Sequence, residues 1–301
     1  MNLTGWVCGK TFKQRQARAG ILFITPAVIY FSITFIGTVF YNIYLTFVKF
    51  SLSGENKFIG FSQYQAAFTD STFWLSLKNT FYFTALSVPA IVILALAVAL
   101  LFSSTVDFKL KGFFKSIYFL PVITSSVAVA FVWDWLYQPE IGLFNYILKS
   151  CGLPRQLWLH SAQQVIPSLA IMHVWARLGF NMVIFIAGLE AIPREFYEAA
   201  EIDGAKGWTT LYYITLPLLN PQILLVCILE VITALRMFSL PYVATGGGPG
   251  NASRMVVLHI HDKAFKWMQI GEASVAALIL FSMIIIISVL QWLFLRKPVE
   301  Y

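Results

Sequence analysis

Long apolar runs broken by short polar stretches dominate this chain. Residues 20–48, 79–102, 112–137, 166–192, 217–243 and 271–295 are each mainly apolar over the ~20 residues that an α-helix needs to cross a hydrocarbon core. The pattern predicts an all-α membrane protein with six transmembrane helices. An even number of spans puts both termini on one side. Pro26, Pro89 and Pro121 fall inside predicted spans, where each removes a helix hydrogen bond that neighbouring helices or polar side chains must replace, so bends within a bundle are expected. No internal repeat or low-complexity linker interrupts the pattern. A single membrane domain over 20–301 after a polar tail, 1–19, is the expected organisation.

Composition agrees with the patterning. Of the 301 residues, 58% are hydrophobic and 12% charged, and mean hydropathy is +0.74, against about 25% charged in soluble domains. A water-soluble fold is excluded. The net charge of +7 forms no single basic patch, which argues against a nucleic-acid partner. Lys10, Lys13, Arg15, Arg18, Lys109, Lys111, Lys115, Arg194, Lys206, Arg296 and Lys297 would lie on the side of the termini. The smaller set of Lys49, Lys57, Lys78, Lys149, Arg155, Arg254, Lys263 and Lys266 would lie opposite. This bias places both termini in the cytoplasm. Cys8, Cys151 and Cys227 then fall in the tail, an external loop and a span, so neither a disulfide framework nor a metal site is expected. The first apolar run is too long for a signal peptide and lacks a small-residue cleavage site, and no apolar run precedes Cys8 as a lipoprotein site would need.

The fourth connection, 193–216, is unusual for an inside loop because Glu190, Glu195, Glu198, Glu201 and Asp203 crowd into and around its start. Pro193 suits a first helical turn, Arg194 to Asp203 favours helix, and Gly204 is a natural stop. Trp208, Leu211, Tyr212 and Thr215 then recur at amphipathic spacing before Leu216-Pro217 opens the fifth span. Two short helices bent at a glycine, with Ala199 and Ala200 beside it, make a compact knob for a partner's cleft. An interfacial helix satisfied by lipid headgroups is the plainer alternative.

Glu198-Ala199-Ala200, three residues, Gly204, nine residues, Ile214, one residue and Leu216-Pro217 resemble the EAA signature of binding-protein-dependent ATP-binding cassette (ABC) importer permeases at every fixed position. At average residue frequencies such a match arises at roughly one start position in 10^8. The resemblance extends nearly end to end and is strongest to the maltose and glycerol-phosphate permeases of the carbohydrate-uptake family. Phe58-Ile59-Gly60-Phe61 with Gln63-Tyr64, Phe119-Leu120-Pro121, and Thr245 through Gly250 carry it further. Where the family often has Phe-Asp before the glycine run, this chain has Phe238-Ser239, so a substrate contact through that aspartate does not transfer.

The resemblance implies a non-catalytic permease subunit of the bacterial inner membrane that imports a sugar or oligosaccharide. Glu198, Ala199, Ala200, Asp203 and Gly204 would form the coupling helix that docks into a cytoplasmic ATPase. It further implies a second related permease, two ATPase copies and an extracytoplasmic substrate-binding protein, with ATP and magnesium held by the ATPase and no cofactor on this chain. A phosphorylated polyol or another non-sugar solute is the alternative cargo. A membrane-bound transferase is a weaker rival: Asp203-Gly204-Ala205 resembles the start of an alcohol-phosphotransferase motif, but the later aspartates are absent and no Asp-x-Asp pair occurs in the chain. A stand-alone channel or secondary carrier would not need the coupling loop. Gly246 to Gly250 lacks the Lys-Ser/Thr of a phosphate-binding loop and reads as a flexible turn at a helix end. The sequon at Asn251-Ala252-Ser253 is taken as chance.

Charged residues inside spans cost about 2.5 to 3.5 kcal/mol at a helix centre and usually face a cavity or one another. His173, Arg177 and Asn181 share one face of the fourth span at i, i+4 and i+8, while Trp175 points elsewhere. Glu230 and Arg236 in the fifth span lie about 120° apart around the helix and do not pair within it. Sugars call for amides, charged hydrogen-bonders and aromatic faces, so Arg177, Asn181, Arg236 and Phe238 are the candidate translocation-path residues. The competing reading has Arg177 and Glu230 in an interhelical ion pair away from substrate. Trp133 and Trp135 flank Asp134 near the external end of the third span and are expected to anchor at the membrane interface.

Overall fold

The computed structural model describes residues 12–50, 54, 56–105 and 108–296. Cys8, Lys10, Lys297 and most of the predicted tail lie outside these residues. The described chain is almost wholly helical, with one two-residue antiparallel ladder pairing β1 (Val48–Lys49) with β2 (Lys57–Phe58). Among the described residues, four helices are long and apolar enough to cross a membrane: α1 (Phe12–Leu45), the stretch to Phe102 of α3 (Ser71–Thr105), α7 (Val165–Ala191) and α13 (Ile270–Leu295). The number rises to six if each of two bent pairs is one span.

The first pair is the segment Lys115–Ile123 of α4 (Phe108–Ile123) followed by α5 (Ser126–Leu136), bent by 103°. The second is α9 (Trp208–Leu218) followed by α10 (Asn220–Leu235), bent by 67°. Shorter helices complete the chain: α2 (Ser62–Thr69), α6 (Leu143–Ser150), α8 (Arg194–Ile202), α11 (Ser239–Thr245) and α12 (Val256–His261).

Proline alone does not decide where these helices break. Pro26 and Pro89 lie inside α1 and α3 without ending them. Pro121 stands two residues before α4 ends, and Ser125 then caps α5, its hydroxyl accepting the Val127 N–H at 3.3 Å. A lost helix bond followed at once by a serine cap redirects the chain. The expected continuous span 217–243 is also interrupted, at Leu219 and again at Arg236–Phe238 before α11 begins. Part of the expected tail is helical as well, because α1 begins at Phe12.

α3 and α7 pack along much of their length, with α10 against α3 and α13. Two apolar clusters form the interior. One gathers Phe83, Val129, Leu169, Met172, Val231 and Leu235; the other gathers Ala95, Ala99, Met182, Phe185, Leu219 and Val226. Close approach is enforced at Gly179 on α7, where a Cβ would sit 1.8 Å from the Tyr118 carbonyl oxygen of α4. Trp133 is not an interfacial anchor: it is 7% exposed and packs on Trp175, Tyr137 and Phe144, whereas its neighbour Trp135 is exposed. The two tryptophans project from different faces of one helix, so only one can reach lipid.

At one end of the bundle, Asp70 caps α3 by accepting the Thr72 N–H at 2.8 Å. Its other oxygen pairs with Lys263 at 3.0 Å, and Lys263 reaches Glu272 at 2.8 Å. These bonds tie α3 to the π-helical turn Asp262–Lys266 and to α13. The Thr245–Gly250 segment is a turn, with Gly246 in the left-handed region, but it is not loosely held. Buried Ser253 bonds the Thr245 hydroxyl at 2.7 Å and donates to the Gly248 carbonyl at 2.6 Å, and Asn79 of α3 donates to the carbonyls of Asn251 and Arg254.

Candidate functional site

The loop 193–216 forms a helix with a well-defined stop. Pro193 is extended and stands just before the first helical residue of α8, one step earlier than its predicted place in the first turn. At the other end, Gly204 has φ +79, its N–H bonds the Glu201 carbonyl at 3.0 Å, and the Ala205 N–H bonds the Ala200 carbonyl at 2.8 Å. This paired closure satisfies carbonyls that a helix end leaves open and favours glycine at the turning point.

Ala200 faces inward, while Glu198, Ala199, Asp203 and Gly204 are exposed and Ile202 is 87% exposed. Among the described residues, Glu195, Glu198, Glu201 and Asp203 form no ion pairs. The second half of the loop departs from its predicted amphipathic face. Thr215 is buried, but Trp208 and Tyr212 are exposed, because a π-helical turn at Leu211–Thr215 shifts the register.

Within the bundle, α7 and α10 meet through a polar cluster lying between the two apolar clusters. Glu230 is fully buried, and its Oε1 accepts from Arg177 Nε at 3.0 Å, Arg177 Nη2 at 2.6 Å and Asn181 Nδ2 at 2.9 Å. Its Oε2 stands 3.6 Å from His173 Nε2, beyond hydrogen-bond range. Neither of these two atoms has another partner among the described residues.

The interhelical pair therefore exists, yet Arg177 still reaches open space. It is 26% exposed and lines a cavity of about 280 Å³ together with Arg236, Phe238, His173 and Thr233. That volume is at the lower edge of the about 300–1,000 Å³ range of small-ligand sites. Two of the three main-chain breaks border it: Pro121, Thr124 and Ser126 come from the α4–α5 corner, and Arg236 to Leu240 from the α10–α11 interruption. Irregular backbone at membrane depth is tolerated where it lines such a space. Asn181 does not line the cavity; fully buried behind Arg177, it holds Glu230.

Residues 77–297 match the family model described as binding-protein-dependent transport system inner membrane component. The chain belongs to this family. It is a non-catalytic permease subunit of an ABC importer and an inner-membrane component. A sulfoquinovosyl glycerol transport permease of Agrobacterium fabrum is 31% identical over 87% of this chain and 85% of its own length. A trehalose/maltose transport permease of Thermococcus litoralis is 33% identical over 89% of each. Among solved structures, a bacterial ABC transporter that imports the acidic polysaccharide alginate has the same fold, with a TM-score of 0.81 at 21% identity, covering 94% of this chain and 98% of that one.

The permease has a further feature that span-by-span reading missed. Phe238 and Tyr242 stack at 4.9 Å between ring centroids and 17° between planes. His261 lies 5.1 Å from Phe238, 5.4 Å from Tyr242 and 5.3 Å from Phe265. Each of Phe238/Tyr242 and His261/Phe265 is an i, i+4 pair, so the two halves were visible locally; their meeting was not.

Proposed function

We propose that this permease imports a sugar or oligosaccharide through six spans with both ends in the cytoplasm, the tail 1–19 preceding one membrane domain, 20–301. The exposed acidic face of helix α8, without ion pairs among the described residues and closed at Gly204, is the observation that carries its coupling role. In the coupling segment Glu198, Ala199, Ala200, Asp203 and Gly204, the exposed members dock into a cleft of the ATPase while buried Ala200 seats the helix on the loop beneath it; Ala199 permits close approach and the carboxylates meet basic groups there. A second related permease, two ATPase copies holding ATP and magnesium, and an extracytoplasmic binding protein complete the importer.

ATP-driven closure of the ATPase pulls on loop 193–216 and shifts the bundle between inward- and outward-open states through different contacts in each. Arg177, Arg236 and Phe238 face cargo, and Asn181 serves the path by holding Glu230. The relatives named for trehalose/maltose and sulfoquinovosyl glycerol support carbohydrate cargo. Co-purification of the tagged subunit, expressed with its genomic neighbours, tests the coupling. An ATPase that accompanies wild type and is lost or uncoupled in Glu198→Arg and Gly204→Val is expected; no ATPase with wild type would refute the docking role.

A further inference from the structure

The charges around the cavity are one-sided. Its lining holds Arg177 and Arg236 but, among the described residues, no aspartate or glutamate. Arg177 is already neutralised by Glu230 behind it. Arg236 is different: it is exposed, ends α10, and forms no ion pair among the described residues. Its cationic guanidinium offers planar paired donors that match an oxyanion. A lone arginine at the break of a membrane helix needs water or a counter-charge.

Beside it begins the aromatic strip. Phe238 lines the same cavity, Tyr242 stacks on it, and His261 leads to Phe265, which is 73% exposed. Lys266 approaches the Tyr242 ring at 6.0 Å, but Asp262 pairs with it at 2.8 Å. Among the described residues beside the strip, the positive charge without an ion-pair partner therefore lies at the end that borders the cavity.

We propose that the cargo is a saccharide bearing an anionic group, a carboxylate or another oxyanion, which Arg236 binds while the apolar faces of its sugar rings stack along Phe238, Tyr242, His261 and Phe265. This rests on the carbohydrate-importer reading above and narrows it. A neutral sugar would use the rings and leave Arg236 without a counter-charge. An acidic saccharide satisfies both features with one molecule.

The test uses the complete importer in proteoliposomes with its binding protein, offered a glucuronate-containing disaccharide or the matching neutral glucose disaccharide. Preferential ATP-dependent uptake of the acidic disaccharide is expected. Arg236→Gln should lower its kcat/KM by about tenfold or more, the loss of a charge-assisted hydrogen bond, and Arg236→Lys should recover part of that. Tyr242→Ala should raise KM for the acidic disaccharide.

Uptake of the neutral disaccharide alone, unaffected by Arg236→Gln, would overturn the anionic inference and leave the carbohydrate reading standing. Transport of neither disaccharide by an importer whose ATPase responds to the binding protein would overturn the carbohydrate reading itself. Dissociation of the two permeases in Arg236→Gln, read by gel filtration, would reassign Arg236 to a contact with the partner subunit and also overturn the inference.

Discussion

Removing either partner of the Arg177–Glu230 pair leaves a different charge stranded, and the structure ranks the two losses. In Arg177→Ala the carboxylate of Glu230, with no solvent exposure, keeps Asn181 as its hydrogen-bond donor and loses its counter-charge. Breaking a buried pair from one side costs about 3 to 5 kcal/mol. In Glu230→Ala the stranded group is Arg177, which is 26% exposed to the cavity and can be hydrated there. Its penalty falls below the about 2.5 to 3.5 kcal/mol of a lipid-centred arginine and should be about 1 to 3 kcal/mol. The double variant strands no charge and should be about 2 kcal/mol more stable than Arg177→Ala alone, a non-additivity expected of groups in direct contact.

Denaturant titration of the purified subunit in detergent, followed by tryptophan fluorescence, measures all three. A neutral interhelical hydrogen bond in a membrane is worth only about 0.6 kcal/mol on average. Losses of that size in both single variants, or strict additivity in the double, would show that no buried charge pair couples α7 to α10.

Gly179→Ala forces a Cβ into the Tyr118 carbonyl at 1.8 Å and should destabilise by about 1 to 3 kcal/mol in thermal unfolding. Gly37→Ala, with nothing within 4 Å, serves as the control and should show no such loss. Gly204→Ala places a Cβ at φ +79 and should weaken the end of α8 by about 1 kcal/mol, read as faster hydrogen exchange at Ala205. Burial lowers the pKa of His259, which sits near Asp70, Lys263, Arg254 and Asp262, to about 4. Between that value and its ordinary 6.5 the unfolded chain binds more protons than the folded one. Stability should therefore fall by about 2 kcal/mol from pH 7 to pH 5. His259→Asn should flatten this slope; an unchanged slope would refute the assignment. Asp70 and Asp262, whose pKa values lie below normal, add their own loss only at lower pH.

Properties set by neighbours a few residues away were legible in the chain. Apolar runs long enough to span, the helix Arg194–Ile202 and its stop at Gly204 follow from periodicity and backbone freedom, and the shared face of His173, Arg177 and Asn181 follows from helix geometry. Packing decided the rest. Sequence left open whether Arg177 pairs with Glu230 or faces a cavity, and the structure has it do both, because these residues, 53 apart in sequence, sit on helices that meet beside a break in the chain. Trp133 turned inward and Asn181 withdrew behind Arg177 for the same reason. A side chain's angle around its helix is written locally, but what stands opposite depends on which helix crosses there and where the backbone bends. The strip from Phe238 to Phe265 makes the same point: each i, i+4 pair is local, and only the approach of α11 to the end of α12 joins them.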